Sequence, residues 1–333
     1  LNMGKHVILL GPPGTGKTTL AHAICAYAAQ PGKRLCCGAT VTTATADWTT
    51  FDTVGGYVPT PSQTLEFRLG SFLDAICTGK WLVIDEINRA EIDKAFGELF
   101  TVLSGQQVDT PHLVGRDRVR ILPPDQQGAS GWIPAHARAN GYDYVVHPQW
   151  RIIGTMNVYD RSALYAMSLA FMRRFAFVDL GLPDDFGALR DDWIARALPG
   201  APAADDRTTL TDRLTQLLKE ENNTLMAHRT LGPAIAKDMI DYVGERYVAP
   251  GEVGYLGAAD LLAEAFLLYA APQLDGLDLP AVEAIFRELD QVFAGTEGHE
   301  AILKRIQALY PFIPLLAGIV AGTPSSTNGG SNA

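Results

Sequence analysis

A chain of 333 residues is about two domains of ordinary size, because single cores stop growing near ~250–300 residues. Its 47% hydrophobic and 19% charged residues supply enough apolar surface to offset the entropy of ordering; this excludes bulk disorder and leaves only a polar tail, Thr323–Ala333, as an expected disordered segment. The 27 basic and 37 acidic residues sum to −10, which argues against a surface that binds nucleic acid unselectively.

Cys25, Cys36, Cys37 and Cys77 lie in apolar stretches without metal-ligand spacing, so a disulfide scaffold or zinc site is disfavoured and a reducing cytoplasm is expected. The apolar stretch Pro311–Gly322 is shorter than the ~20 residues of a membrane span, and Pro314 interrupts it. The first apolar run, Val7–Leu10, leads into a glycine loop rather than a signal cleavage site. No membrane association is expected.

In chain order the strand candidates are Val7–Leu10, Leu35–Val41, Trp81–Ile84, Ile152–Thr155 and Phe175–Leu180. Helical patterns alternate with them, which predicts an α/β three-layer αβα fold with a five-stranded parallel sheet. Val7–Leu10 and Trp81–Ile84 are apolar throughout, as strands buried on both faces should be, and are expected at the centre. Leu20, Ile24 and Tyr27 form one helical stripe, and Ile92, Phe96, Leu99 and Leu103 another; both are expected to pack on the sheet. Beyond Leu180 only helical periodicity remains, as in Ile285, Phe286, Leu289, Val292 and Phe293, then Ile302, Ile306 and Leu309. The expected division is an α/β domain over residues 1–182, a smaller all-α domain over 183–322 and the tail over 323–333. Gly105–Pro148, rich in Gly, Pro and Asp, is too long for an ordinary connection and reads as an insertion within the first domain.

The run from Gly11 through Pro12, Pro13, Gly14, Thr15, Gly16 and Lys17 to Thr18 follows a strand and opens a helix, the context that a phosphate-binding loop requires. Glycines let successive backbone N–H groups curl around phosphate oxygens at the positive end of the helix. Lys17 then neutralises the β- and γ-phosphates, and Thr18 offers a hydroxyl to Mg²⁺. Thr19 belongs to the same candidate nucleotide site but chiefly continues the helix.

Asp85 and Glu86 end the third strand at the carboxyl edge of the sheet, where open α/β folds bind ligands. Asp85 suits Mg²⁺ coordination through water, and Glu86 suits polarising a water for attack on a γ-phosphate. The bland alternative is that one of the pair caps the next helix. Asn157, ending the fourth strand, can orient the same water, although an asparagine there more often caps a turn. Asp160 and Ser162 are candidate helix caps, with Arg161 in a local ion pair. Arg173 and Arg174, before the fifth strand, are either a solvated face or an arginine finger that reaches a neighbouring subunit's γ-phosphate.

Together, Gly11–Thr18, WLVIDEINRA at 81–90, IGTMNVYDRS at 153–162 and MRRF at 172–175 resemble an AAA+ ATPase of the McrB-like and MoxR-like, dynein-related branch. Gly55–Pro59 through Phe67–Gly70 is similar to that branch's insertion within its second helix, and the resemblance runs from about Lys5 to Leu274. It implies a ring, usually of six subunits, with ATP or GTP and Mg²⁺ at each interface. It also implies Lys17 and Thr18 at phosphate and metal, Asp85 and Glu86 as the acidic pair, Asn157 as first sensor, and Arg173 or Arg174 as a finger in trans. McrB-type motors drive a nuclease partner in DNA restriction, which implies a restriction or antiviral-defence role; the alternative is a nucleotide-controlled assembly scaffold or MoxR-like chaperone that recruits an effector with slow turnover. The chain departs from the pattern at Ala234, where relatives often place a second-sensor arginine; Lys237 or Arg229 are the possible substitutes. The family usually carries a helix ahead of the first strand, and only Leu1–Lys5 precede it here, so further chain upstream is expected, with DNA contact possible through it.

Arg116, Arg118, Arg120, Arg138, Trp132, Tyr142 and Tyr144 give the insertion a mixture of cations and aromatics that suits a strand of nucleic acid or polypeptide in a ring pore. Asp109, Asp117, Asp125 and Asp143 dilute that charge, so a solvated hairpin or subunit contact is the favoured reading.

Overall fold

The computed structural model describes residues 1, 4–123, 143–157, 167–200, 203–219, 221 and 224–311. Arg138, Trp132, Tyr142, Asp160, Arg161, Ser162 and the tail lie outside them. The chain divides into two compact units, Leu1–Pro12 with Gly16–Gly181 and Pro13–Thr15 with Leu182 onward.

The first unit is built on a parallel sheet of β1 (His6–Gly11), β2 (Ala39–Thr43), β5 (Trp81–Asp85), β9 (Ile152–Asn157) and β10 (Phe175–Asp179), in the order β10-β1-β9-β5-β2. The three inner strands are the most apolar, and β1 is buried along its whole length. β9 occupies the centre, with β1 and β5 on either side of it. The second strand is Ala39–Thr43 rather than Leu35–Val41. Leu35 lies in the approach to the strand, where its N–H donates to Ala28 O, and Cys37 N–H donates to Gly79 O.

Helix Lys17–Ala28 buries Ala21, Cys25 and Ala28, whereas Leu20 and Tyr27 are exposed. Of the expected stripe Ile24 packs against the core, partly buried, while the fully buried positions carry small side chains. The stripe Ile92–Leu103 does bury Ile92, Phe96 and Leu99, but as two five-residue helices, Ile92–Phe96 and Leu99–Leu103, broken at Gly97 with φ 41°.

Two accessory sheets interrupt this framework. β3 (Gly55–Pro59) and β4 (Leu65–Leu69) form an antiparallel hairpin. In the expected insertion, β6 (Val108–Val114) and β7 (Asp117–Leu122) form a second hairpin, and β8 (Asp143–Val145) pairs parallel to β7. Tyr57 ties the two together: its hydroxyl accepts from Leu113 N and donates to Leu113 O, at 2.7 and 2.8 Å. Arg120 is committed to a bidentate pair with Asp143, 2.6 Å at both contacts, so this arginine stabilises the insertion's own sheet.

From Leu182 to Pro311 every described regular element is helical. Helices Ala204–Leu217, Pro233–Arg246, Ala258–Ala265 and Leu279–Val292 enclose a core that includes Leu214, Ile240, Leu262, Phe266 and Phe286. The buried Asp206 carboxylate is satisfied by the Tyr247 and Tyr255 hydroxyls and by Ala258 N–H. No helix among the described residues is long and apolar enough to cross a membrane.

Candidate active site

Parallel pairing brings the ends of three adjacent strands to one edge. Gly11 of β1 stands in register with Asn157 of β9, and the neighbouring β5 ends at Asp85. β1 then gives way to the glycine loop, where Gly14 and Gly16 have φ 79° and 77°. A side chain is strained in that region, so glycine here answers a backbone requirement. Gly16 is also the N-cap of helix Lys17–Ala28, whose first turn carries no acidic residue to compete with an anion for its N–H groups.

Lys17 is buried, and its ammonium donates to Gly11 O at 3.0 Å and Pro12 O at 2.7 Å. Burial pushes its pKa down, while the Asp85 and Glu86 carboxylates oppose that shift. The loop's own carbonyls thus hold an ammonium that has lost most of its water, and phosphate oxygens would be better partners for it. Thr19 is exposed at the third position of the helix, and no hydrogen bond of its hydroxyl appears among the described residues.

The Thr18 hydroxyl donates to Asp85 Oδ1 at 2.8 Å. Among the described residues no cluster of three or more His, Cys, Asp or Glu side chains could cage a metal. A hydroxyl and a carboxylate side by side instead match the few hard oxygen ligands that Mg²⁺ takes from a protein when phosphates and waters complete its shell. Thr18 and Asp85 therefore fit the ion, which would supply a clamp on the phosphate charge.

Two residues that the motif reading left without a role complete this edge. Thr155 on β9 donates its hydroxyl hydrogen to Asp85 Oδ1 and accepts from Glu86 N–H at 3.0 Å. Arg89 pairs with the Glu86 carboxylate at 2.6 Å. Arg89 lies one helical turn beyond Glu86, a spacing that signals such a pair, whereas Thr155 shares a strand face with Asn157 and carries no further signal in the sequence.

Arg173 and Arg174 are not brought to this edge. β10 runs parallel to β1 with Phe175 opposite His6, so the two arginines flank the start of the sheet, not its end. Five residue steps along β1 separate the levels of His6 and Gly11, roughly 16 Å. The arginines are fixed at the far side by Lys5, whose ammonium donates to Arg173 O at 2.7 Å, and by His6 N–H, which donates to Arg174 O at 3.2 Å. The Arg174 guanidinium donates to the Ser104 hydroxyl, whereas Arg173 is exposed and has no side-chain ion pair among the described residues.

Comparison with known proteins gives a relative and a family. One relative, the uncharacterized protein YojN of Bacillus subtilis (strain 168), is 36% identical over 92 residues, 27% of this chain. The matched stretch spans 29% of YojN's own length. The family model of an AAA domain of the dynein-related subfamily matches residues 6–175, from the first residue of β1 to the first of β10 and just over half of the chain. A glycine loop, an acidic pair and a polar strand end on one edge of a β10-β1-β9-β5-β2 parallel sheet thus come with a family match over that same sheet, and the chain belongs to the dynein-related subfamily of AAA domains.

Proposed function

We propose that this chain is a Mg²⁺-dependent nucleoside-triphosphatase of AAA+ type, acting on ATP or GTP. In this reading Lys17 and the loop amides bind the triphosphate, and Thr18 and Asp85 hold the ion. Glu86 takes a proton from the attacking water, and Asn157 orients it. The observation that carries the reading is the Thr18 hydroxyl 2.8 Å from the Asp85 carboxylate, directly behind a glycine loop whose lysine is buried.

The roughly 16 Å between the arginine pair and the loop level exceeds the reach of an arginine side chain, which supports action on a neighbouring subunit's nucleotide and hence a ring, with six subunits as the family's usual number. Of the two, Arg173 is the better finger, since Arg174 already serves Ser104 within its own chain. The biological setting we favour is an McrB-like motor subunit in restriction or phage defence, with an effector or nuclease partner and DNA, in the cytoplasm.

A second reading, a nucleotide-controlled scaffold or chaperone with slow turnover, draws on the Glu86–Arg89 pair, which occupies the proposed base. Turnover of ATP and of GTP, each with and without added DNA, separates the two. A motor is expected to be stimulated many-fold by DNA or by an effector, and a flat, slow rate in both arms favours the scaffold.

A further inference from the structure

The acidic pair sits where the sheet opens. β5 and β9 pair in register only from Leu82 opposite Ile152 to Ile84 opposite Gly154. Beyond that point the β5 chain turns away: Glu86 has φ 51° and ψ 46°, a left-handed conformation that is uncommon for a residue with a side chain. This turn aims Glu86 out of the strand and starts the short 3₁₀ turn Ile87–Arg89. It also removes Glu86 N–H from the β-ladder, where a strand N–H would find a carbonyl.

Thr155 takes up that N–H. Its hydroxyl accepts from Glu86 N at 3.0 Å and, with its single hydrogen, donates to Asp85 Oδ1. One side chain thus bridges the two adjacent residues, giving its single hydrogen to the Asp85 carboxylate and accepting from the Glu86 N–H. Thr155 is 1% exposed, so water cannot replace either bond. Asp85 Oδ1 also accepts from Thr18 at 2.8 Å, which makes Thr155 the only one of these groups that touches both acids and the central strand carrying Asn157.

We infer that Thr155 is a positioning residue: it fixes the rotamer of the metal-side carboxylate and the left-handed backbone of the general base, and so holds the two acids in one geometry with respect to each other. The inference rests on the hydrolytic reading above. Replacing threonine by valine keeps the shape and the β-branched packing but removes the hydroxyl, leaving the Glu86 N–H without this partner and Asp85 one donor short.

The test is steady-state turnover of saturating ATP or GTP by the full chain with Mg²⁺, together with equilibrium binding of the same nucleotide, for the parent, Thr155→Val and Thr155→Ser. Thr155→Val is expected to lose on the order of ten- to a hundred-fold in kcat while its nucleotide affinity stays within about three-fold of the parent. Thr155→Ser, which keeps the hydroxyl, is expected to recover most of that loss. A kcat for Thr155→Val equal to the parent's overturns the inference, as does a Thr155→Ser variant as slow as Thr155→Val. A parent that binds nucleotide but releases no phosphate removes the hydrolytic reading itself, which distinguishes that failure from the failure of Thr155.

Discussion

The Glu86 carboxylate lies 2.6 Å from the Arg89 guanidinium, three residues further along a chain that has just turned through the left-handed region. The pair is local, and Arg89 is 61% exposed, so water and salt screen it. Such a contact can hold the Glu86 side chain in a preferred direction without locking it. Arg89→Ala is therefore expected to change unfolding free energy by less than about 1 kcal/mol, read from denaturant midpoints. A loss of several kcal/mol would mean that Arg89 is built into the fold and does not simply rest on Glu86.

Glu86→Gln keeps size and hydrogen-bonding reach but cannot accept a proton. The expected outcome is unchanged nucleotide affinity with phosphate release lowered by ~10²–10⁴. Unimpaired release would assign proton transfer to another group.

The two arginines should separate in mixing experiments. Arg173→Ala alone is expected to abolish most turnover, and mixing it with a Lys17→Ala chain should restore activity at those interfaces where an intact loop faces an intact Arg173. Arg174→Ala breaks the contact to Ser104 within its own chain and should not be complemented in this way. If neither mixture recovers activity, the arginines do not act across an interface.

His6, at the start of β1, is buried, and its Nδ1 accepts from Ile152 N–H at 3.0 Å. Burial first, then the charges of Arg151, Lys5 and Arg174, push its pKa from 6.5 down to about 3. Between those values the unfolded chain binds more protons than the folded one, so stability rises with pH across the window and falls on acidification. From pH 7 to pH 5 this one group is expected to remove about 2 kcal/mol. His6→Asn retains an acceptor without the titration, and its unfolding midpoint in urea should fall less over the same interval. Parallel pH profiles would contradict the assignment.

What the sequence made legible follows the strength of local constraint. The glycine loop could be placed because φ values of 79° and 77° admit little else, and the strands β1 and β5 because burial on both faces demands continuous apolar runs. The face of helix Lys17–Ala28 is only partly legible: Ile24 packs on the core as its spacing suggests, but the fully buried positions are the small Ala21, Cys25 and Ala28, while the larger Leu20 and Tyr27 are exposed. Thr155 was passed over for a general reason: threonine is an ordinary strand residue, and only the divergence of β5 from β9 turns its hydroxyl toward both acids. The remoteness of Arg173 and Arg174 from the loop likewise required the parallel register of β10 on β1, which spacing along the chain does not encode.

The most direct measurement is an equilibrium titration of ATP and of GTP against the parent chain and Lys17→Ala, with and without Mg²⁺. Saturable, Mg²⁺-dependent binding by the parent, weakened on the order of ten- to a hundred-fold in Lys17→Ala, is the predicted result. Absence of Mg²⁺-dependent affinity for either nucleotide in every oligomeric form, or equal affinity in the two chains, would contradict a triphosphate held at the carboxyl edge of this sheet.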